Sequence, residues 1–205
     1  MKNFPQVIPV FPLSGVIYFP KTNLPLNIFE QRYLDLVNDA YRKDKLMGMV
    51  QSKKDDSDVY NIGCLGKISD FQQSKDGRIL INLTGITRFK ILEEIPNNKL
   101  YREFKVDYQN FLEDVKENNE NLVSLNLMNN AKIFFEKNGL LLNWKEFEKL
   151  ENIQKINTLA MIAPVTSEEK QKILEAVSFE SKVKTLESIL SFYLYDTGLN
   201  NQTIQ

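Results

Sequence analysis

The hydrophobic period of this 205-residue chain changes once, near residue 110, and that change limits the folds open to it. Before it, apolar residues come in short runs broken by Gly and Pro, and several alternate as a half-buried strand does, as in Phe104, Val106 and Tyr108. After it, they recur over long segments with the 3.6-residue period of amphipathic helices. The expectation is an α+β protein with a β-rich lobe over residues 1–110, an α-helical bundle over 111–198 and a flexible tail over 199–205.

Within the first lobe, residues 7–11, 16–19, 46–51, 62–72, 78–84, 88–95 and 101–108 read as strands. Lys75-Asp76-Gly77 between two of them reads as a hairpin turn, because Asp-Gly accepts the positive φ of a tight connection. Short strands joined by short connections predict a small closed or nearly closed barrel. One helix, over about 30–43, carries Phe29, Tyr33, Leu36, Val37, Ala40 and Tyr41 on one stripe and is expected to plug an end of that barrel.

In the second lobe, a helix over about 115–138 is expected to stop at Gly139 in a left-handed cap. Helices follow over 144–150 and 153–163, the latter ending before Pro164. Thr166 and Glu169 have the spacing of a capping box. The last helix spans about 179–195, with Gly198 onward expected to fray.

Composition narrows the chemistry. The chain has no histidine, which removes Ser-His-Asp and Cys-His nucleophiles, imidazole bases and His-based metal sites. A lone Cys64 removes internal disulfides and thiolate clusters, and within an apolar strand it reads as a small buried hydrophobe. No glycine spacing matches a phosphate loop, and Gly63 and Gly66 read as bulge or close-packing positions. Asp55, Asp56 and Asp58 lack the glycine and distal Glu of a calcium loop and read as solvated charge. No metal, cofactor or catalytic residue is expected.

Prolines at 5, 9 and 12 exclude a signal-peptide helix, and no apolar run reaches the ~18 residues of a membrane span, so a cytoplasmic location without a membrane partner is expected. The sequence pI near 5.7, with acidic and basic residues interspersed, disfavours a general grip on nucleic acid. Glu30, at a predicted helix start, and Arg88, after Gly85, are a candidate clamp, although a structural ion pair between them is the favoured reading.

Several ordered segments resemble a known family. Residues 7–13 (VIPVFPL), 16–20 (VIYFP), 24–30 (LPLNIFE) and Arg32-Tyr33 resemble the opening of the substrate-binding N-terminal domain of the ATP-dependent protease Lon. Residues 60–68, 76–78 and 85–91 continue the likeness in order, and 159–164 with 168–176 resemble the helical end of stand-alone bacterial members. The resemblance implies a PUA-like β-barrel followed by a helical bundle. Pro12, Leu13, Phe19, Pro20, Pro25, Phe29, Glu30, Tyr33, Gly77, Gly85, Arg88 and Phe89 occupy the family motif and read as fold determinants.

Since the ATPase and Ser-Lys peptidase modules of that protease are not in this sequence, no enzyme activity is expected. The expected function is a non-catalytic polypeptide-binding module that captures exposed hydrophobic segments of unfolded or client proteins. Its expected partners are those clients and a Lon-type protease, with weak self-association as a further option. RNA or small-ligand binding through the PUA-like barrel is the alternative. Candidate contact residues are aromatics near the barrel rim, Tyr60 and Phe71, and at the lobe junction, Tyr108, Phe111 and Trp144.

Overall fold

The computed structural model describes residues 4–53, 58–116 and 123–200, and Asp55 and Asp56 lie outside them. The chain divides into two compact units, residues 1–116 and 117–205. The first holds six strands: β1 (Val7–Leu13), β2 (Asn23–Ile28), β3 (Leu46–Gln51), β4 (Ile62–Gln73), β5 (Ile79–Ile95) and β6 (Arg102–Asp107). Helix α1 (Gln31–Arg42) lies between β2 and β3, and a 3-10 helix (Gln109–Val115) follows β6.

The strand order is β2-β5-β4-β3-β1-β6, and β6 also pairs with β5. The ring of β1, β3, β4, β5 and β6 therefore closes, and β2 lies outside it. Among the described residues only the β1–β3 pairing is parallel. The 17-residue β5 makes closure possible, because its first third pairs with β2 at 79–84 and its last part with β6 at 90–95. Long strands that serve two partners bend at bulges, and register shifts occur at Leu65/Gly66 and between Ile91 and Glu93.

Two strand expectations are corrected here. Residues 78–84 and 88–95 are one strand, since Gly85 continues the backbone past the Phe19 carbonyl where any side chain would collide. Residues 16–19 pair with no strand, although Ile17, Tyr18 and Phe19 are buried as core plugs. The sequence hid β2, because Asn23, Pro25 and Asn27 depress the strand signal, yet an outer strand tolerates them.

Strand alternation sorts the core into two layers. Ile8, Val10, Val50, Leu65, Phe89, Phe104 and Val106 come from all five ring strands and fill the barrel interior. A Cβ on Gly63 would lie 2.6 Å from the Val50 side chain and 2.7 Å from the Phe89 ring, so the missing side chain makes room for Phe89. On the other face, Phe11, Met47, Met49 and Cys64 pack with Tyr33, Leu36, Val37 and Ala40 of α1. Helix α1 thus covers β1 and β3 from outside rather than plugging an end. Phe29 and Tyr41 leave the expected stripe, at 66% and 36% exposed.

The second unit is helical: α2 (Leu125–Lys137), α3 (Trp144–Glu148), α4 (Asn152–Ile162), α5 (Ser167–Glu175) and α6 (Phe179–Asn200). Part of the helix expected over 115–138 lies outside the described residues, and α2 starts at its Ser124 cap. Gly139 ends α2 with φ 67°, its N–H donating to the Glu136 carbonyl and that of Leu140 to Phe135, a Schellman arrangement. The Thr166–Glu169 capping box forms as expected, and α6 runs past Gly198 to Asn200. Helices α2 and α6 meet through Phe134 and Tyr193, with ring centroids 5.7 Å apart.

Candidate functional site

The arm of β2, β5 and β4 presents a groove of about 370 Å³ lined by Pro25, Leu26, Asn27, Asp70, Gln72, Leu80, Ile81 and Asn82. Its origin is the two-residue period: Ile79, Ile81 and Leu83 point into the core, so Leu80, Asn82 and Thr84 point out. Cross-strand pairing sets Pro25 beside Asn82, Asn27 beside Leu80, and Gln72 beside Leu80 from the other side. The surface is mostly uncharged. Asn82 donates to Ser69 Oγ at 3.3 Å, and Thr84 Oγ1 donates to Asn23 Oδ1 at 2.8 Å. Leu80 is 44% exposed, and Phe29 stands exposed just past the end of β2.

The outer edge of β2 is unsuited to adding a strand. The Gly85 N–H donates to the Thr22 carbonyl, which fixes the parity of the pairing. Asn23, Pro25 and Asn27 then direct their backbone groups away from β5, and Pro25 has no N–H to offer there. A proline facing outward costs the sheet no bond and interrupts any ladder built on that edge. A polypeptide would meet the side chains on the face of the arm.

The aromatic residues singled out from sequence each sit in their own local packing. Tyr60 is half-buried, with Lys53 Nζ 5.8 Å from its ring centroid. Phe71 is partly buried against the core and stacks on Tyr41 at 4.3 Å. Tyr108 is half-buried; its hydroxyl donates to the Pro5 carbonyl at 2.8 Å, and burial pushes its pKa upward. Trp144 is half-buried and edge-on to Phe135 and Phe147. Phe111 is corrected outright. At 2% exposed it offers no contact surface, because the Arg88 guanidinium covers its ring at 4.4 Å.

The expected Glu30–Arg88 pair does not form. Glu30 is the N-cap residue of α1, but its carboxylate makes no cap bond and pairs with exposed Arg32 at 2.9 Å. Arg88 pairs instead with Asp114 of the 3-10 helix, Nη2 donating to Oδ1 at 2.8 Å and Nε to Oδ2 at 2.9 Å, both side chains 2% exposed. The Arg88 backbone N–H donates to the same carboxylate. This buried fork fixes the 3-10 helix on β5 and leaves no charge for a ligand.

Most of the remaining motif residues lie in packed or turn positions. Phe19, Pro20, Tyr33 and Phe89 are buried, Pro12 and Leu13 are half-buried, Gly77 turns the β4–β5 hairpin at φ 87°, and Gly85 passes Phe19. Pro25 and Phe29 are exposed, on and just past β2. Their exposure follows from β2 being the outer strand, which the sequence concealed. The outward set of Leu80, Asn82 and Thr84 was open to detection from the alternation with Ile79, Ile81 and Leu83. Asp58, the described member of the acidic triplet, pairs with Lys53 at 2.8 Å. Among the described residues no helix is long and apolar enough to cross a membrane, and no group of three or more acidic or Cys side chains is placed to hold a metal.

The chain is 28% identical to Lon protease 2 of Myxococcus xanthus over 204 residues, covering 93% of this chain and 24% of that protein. It is 27% identical to the Lon protease of Anaeromyxobacter dehalogenans over 203 residues, again covering 24% of the relative. It thus spans about a quarter of the length of these curated relatives. Its fold is shared with the crystal structure of a Lon N-terminal domain protein from Xanthomonas campestris, at TM-score 0.63 and 20% identity, covering 90% of this chain and 97% of that one. The N-terminal domain of the Mycobacterium avium complex Lon protease gives TM-score 0.67 at 14% identity, covering 90% and 98%. A model of the ATP-dependent protease La (LON) substrate-binding domain matches residues 7–191, nearly the whole length, and the chain belongs to that family.

Proposed function

We propose that this chain is a non-catalytic polypeptide-recognition module, and that the groove on the β2–β5–β4 arm takes apolar segments of unfolded client proteins. The observation that carries the reading is the membership in a substrate-binding family together with this open groove, where Pro25 and Leu80 supply apolar contact beside Asn27, Gln72 and Asn82. Amide side chains both donate and accept, so they satisfy a peptide backbone whatever its sequence. Phe29 extends the apolar surface at one end. Clients held here would pass to a Lon-type protease, which is the proposed partner.

The test is a titration of a fluorescently labelled, permanently unfolded polypeptide, with its folded counterpart as control, followed by anisotropy at low and high salt. Apolar burial predicts selective binding to the unfolded chain that persists at high salt. Leu80→Asp should weaken it at least about tenfold, the scale of one desolvated leucine, without changing the fold, since Leu80 is already on the surface. Binding that collapses as salt rises would instead indicate contact with phosphates or other charges and would overturn the reading.

A further inference from the structure

The end of α2 holds a reactive dipeptide inside a helix cap. Asn138 is the one asparagine of the sequence that precedes a glycine, and both residues are exposed. In an Asn-Gly pair the glycine nitrogen can attack the asparagine side-chain carbonyl carbon with no side chain of its own in the way. The new C–N bond closes a succinimide ring. The glycine N–H proton passes through solvent to the side-chain nitrogen, which leaves as ammonia. Water then opens the ring, at the side-chain carbonyl to give aspartate or at the backbone carbonyl to give isoaspartate, in which the chain runs through the side chain. Water is the one co-reactant.

The fold withholds each part of that reaction. The nucleophile is engaged, since the Gly139 N–H donates to the Glu136 carbonyl at 3.0 Å. The leaving group is engaged too, with Asn138 Nδ2 donating to the Phe134 carbonyl at 2.8 Å. Backbone angles add a third restraint. Asn138 has φ −93° and ψ 9°, which leaves the Gly139 nitrogen nearly eclipsed with the Asn138 backbone nitrogen and a third of a turn from Cβ. Ring closure needs that nitrogen eclipsed with Cβ instead. Gly139 at φ 67° and the Leu140 N–H on the Phe135 carbonyl at 2.9 Å hold the turn, so the cap must break before the ring can close.

The product is unable to rebuild the cap. A carboxylate at position 138 has no N–H for the Phe134 carbonyl, and its charge lies at the carbonyl end of α2, where a negative charge is unfavourable. The isoaspartyl link also inserts a methylene into the backbone before Gly139, which moves the Gly139 and Leu140 N–H groups off their carbonyls. We propose that Asn138-Gly139 is a latent modification site, shielded while α2 is capped and converted by water to aspartate and isoaspartate when the end of the helix opens. Each conversion records an opening of α2 and leaves its terminus uncapped.

The full chain is kept in mildly alkaline buffer, native or in guanidinium chloride, and sampled over time by peptide mapping with mass spectrometry. The map reads the mass gain of amide-to-acid conversion at Asn138 and separates it from isomerisation at Asp76-Gly77 in the β4–β5 hairpin. The expected result is conversion in the denatured chain and a rate at least about tenfold lower in the native one, since only the open fraction reacts. Leu140→Pro removes one Schellman donor and leaves the dipeptide intact, so its native-to-denatured rate ratio should rise several-fold. Asn138→Asp reproduces the aspartate product and should lower the denaturation midpoint of the helical unit. Equal rates in native and denatured chains, an unconverted Asn138 in the denatured chain, or an unchanged ratio in Leu140→Pro overturns the shielding. Wild-type stability of Asn138→Asp overturns the loss of the cap.

Discussion

Asp114 receives three donors from one residue, the Nε, Nη2 and backbone N–H of Arg88, in a site where both side chains are almost wholly buried. Removing one partner of such a pair leaves an uncompensated charge, so Asp114→Ala should destabilise the first unit by about 3–5 kcal/mol in chemical denaturation. Replacing both partners by apolar residues, as in Arg88→Met with Asp114→Leu, should recover most of that loss. Glu94 belongs to the opposite regime. Hydrogen bonds from Arg102, at 2.8 and 2.6 Å, hold its carboxyl below the usual range. A depressed carboxyl pKa stabilises the fold above the ordinary value and loses that stabilisation as pH falls through the folded-state value. Wild type should therefore lose slightly more stability than Glu94→Gln between pH 7 and pH 3. The difference should stay below about 1 kcal/mol, because the Glu94 side chain is 46% exposed and solvent screens the pair. A third polar residue, Lys182, is 1% exposed with Nζ donating to Asn157 Oδ1 at 2.9 Å, tying α6 to α4. Neither buried lysine nor buried arginine stands out in the sequence, because a cation's burial depends on which distant residue meets it.

At the scale of elements, the helix termini were the most legible features, since their chemistry is local. Thr166 and Glu169 sit three residues apart, and the structure closes both bonds of the box, the Thr166 hydroxyl accepting from the Glu169 N–H at 3.2 Å and the carboxylate accepting from the Thr166 N–H at 2.8 Å. Tyr193 adds a hydroxyl bond to the same carboxylate at 2.8 Å. Thr166→Ala should cost about 1 kcal/mol, seen as a fall in denaturation midpoint with an unchanged helical spectrum. Strands were less legible because their status depends on a partner. Residues 16–19 are as apolar as any strand here yet join no strand pairing, while polar, proline-containing β2 pairs along its whole length with β5. The same polar outer strand then builds one wall of the proposed client groove, so the element that sequence reading missed is the one that places Pro25 and Asn27 there.

For the whole molecule, ring closure and both apolar layers of the first unit are built from residues before 117. Residues 1–116 expressed alone should fold cooperatively, with a sharp denaturation transition and a near-ultraviolet spectrum of fixed tyrosines. A broad, non-cooperative transition would show that the barrel depends on the helical unit. The α+β class, the helical second half, the caps at Gly139 and Thr166 and the family likeness were all readable in one dimension, because periodicity and capping are set by neighbours within about four residues. Exclusion of histidine chemistry needed only a count. Which apolar residues reach the surface was decided by tertiary structure. Phe29 and Phe111 are the same residue type, yet one is 66% exposed past an outer strand and the other 2% exposed beneath a guanidinium contributed from 23 positions earlier in the chain. Burial is a property of what the fold brings alongside a side chain, and for these two rings only the closed barrel and its outer strand supply that information.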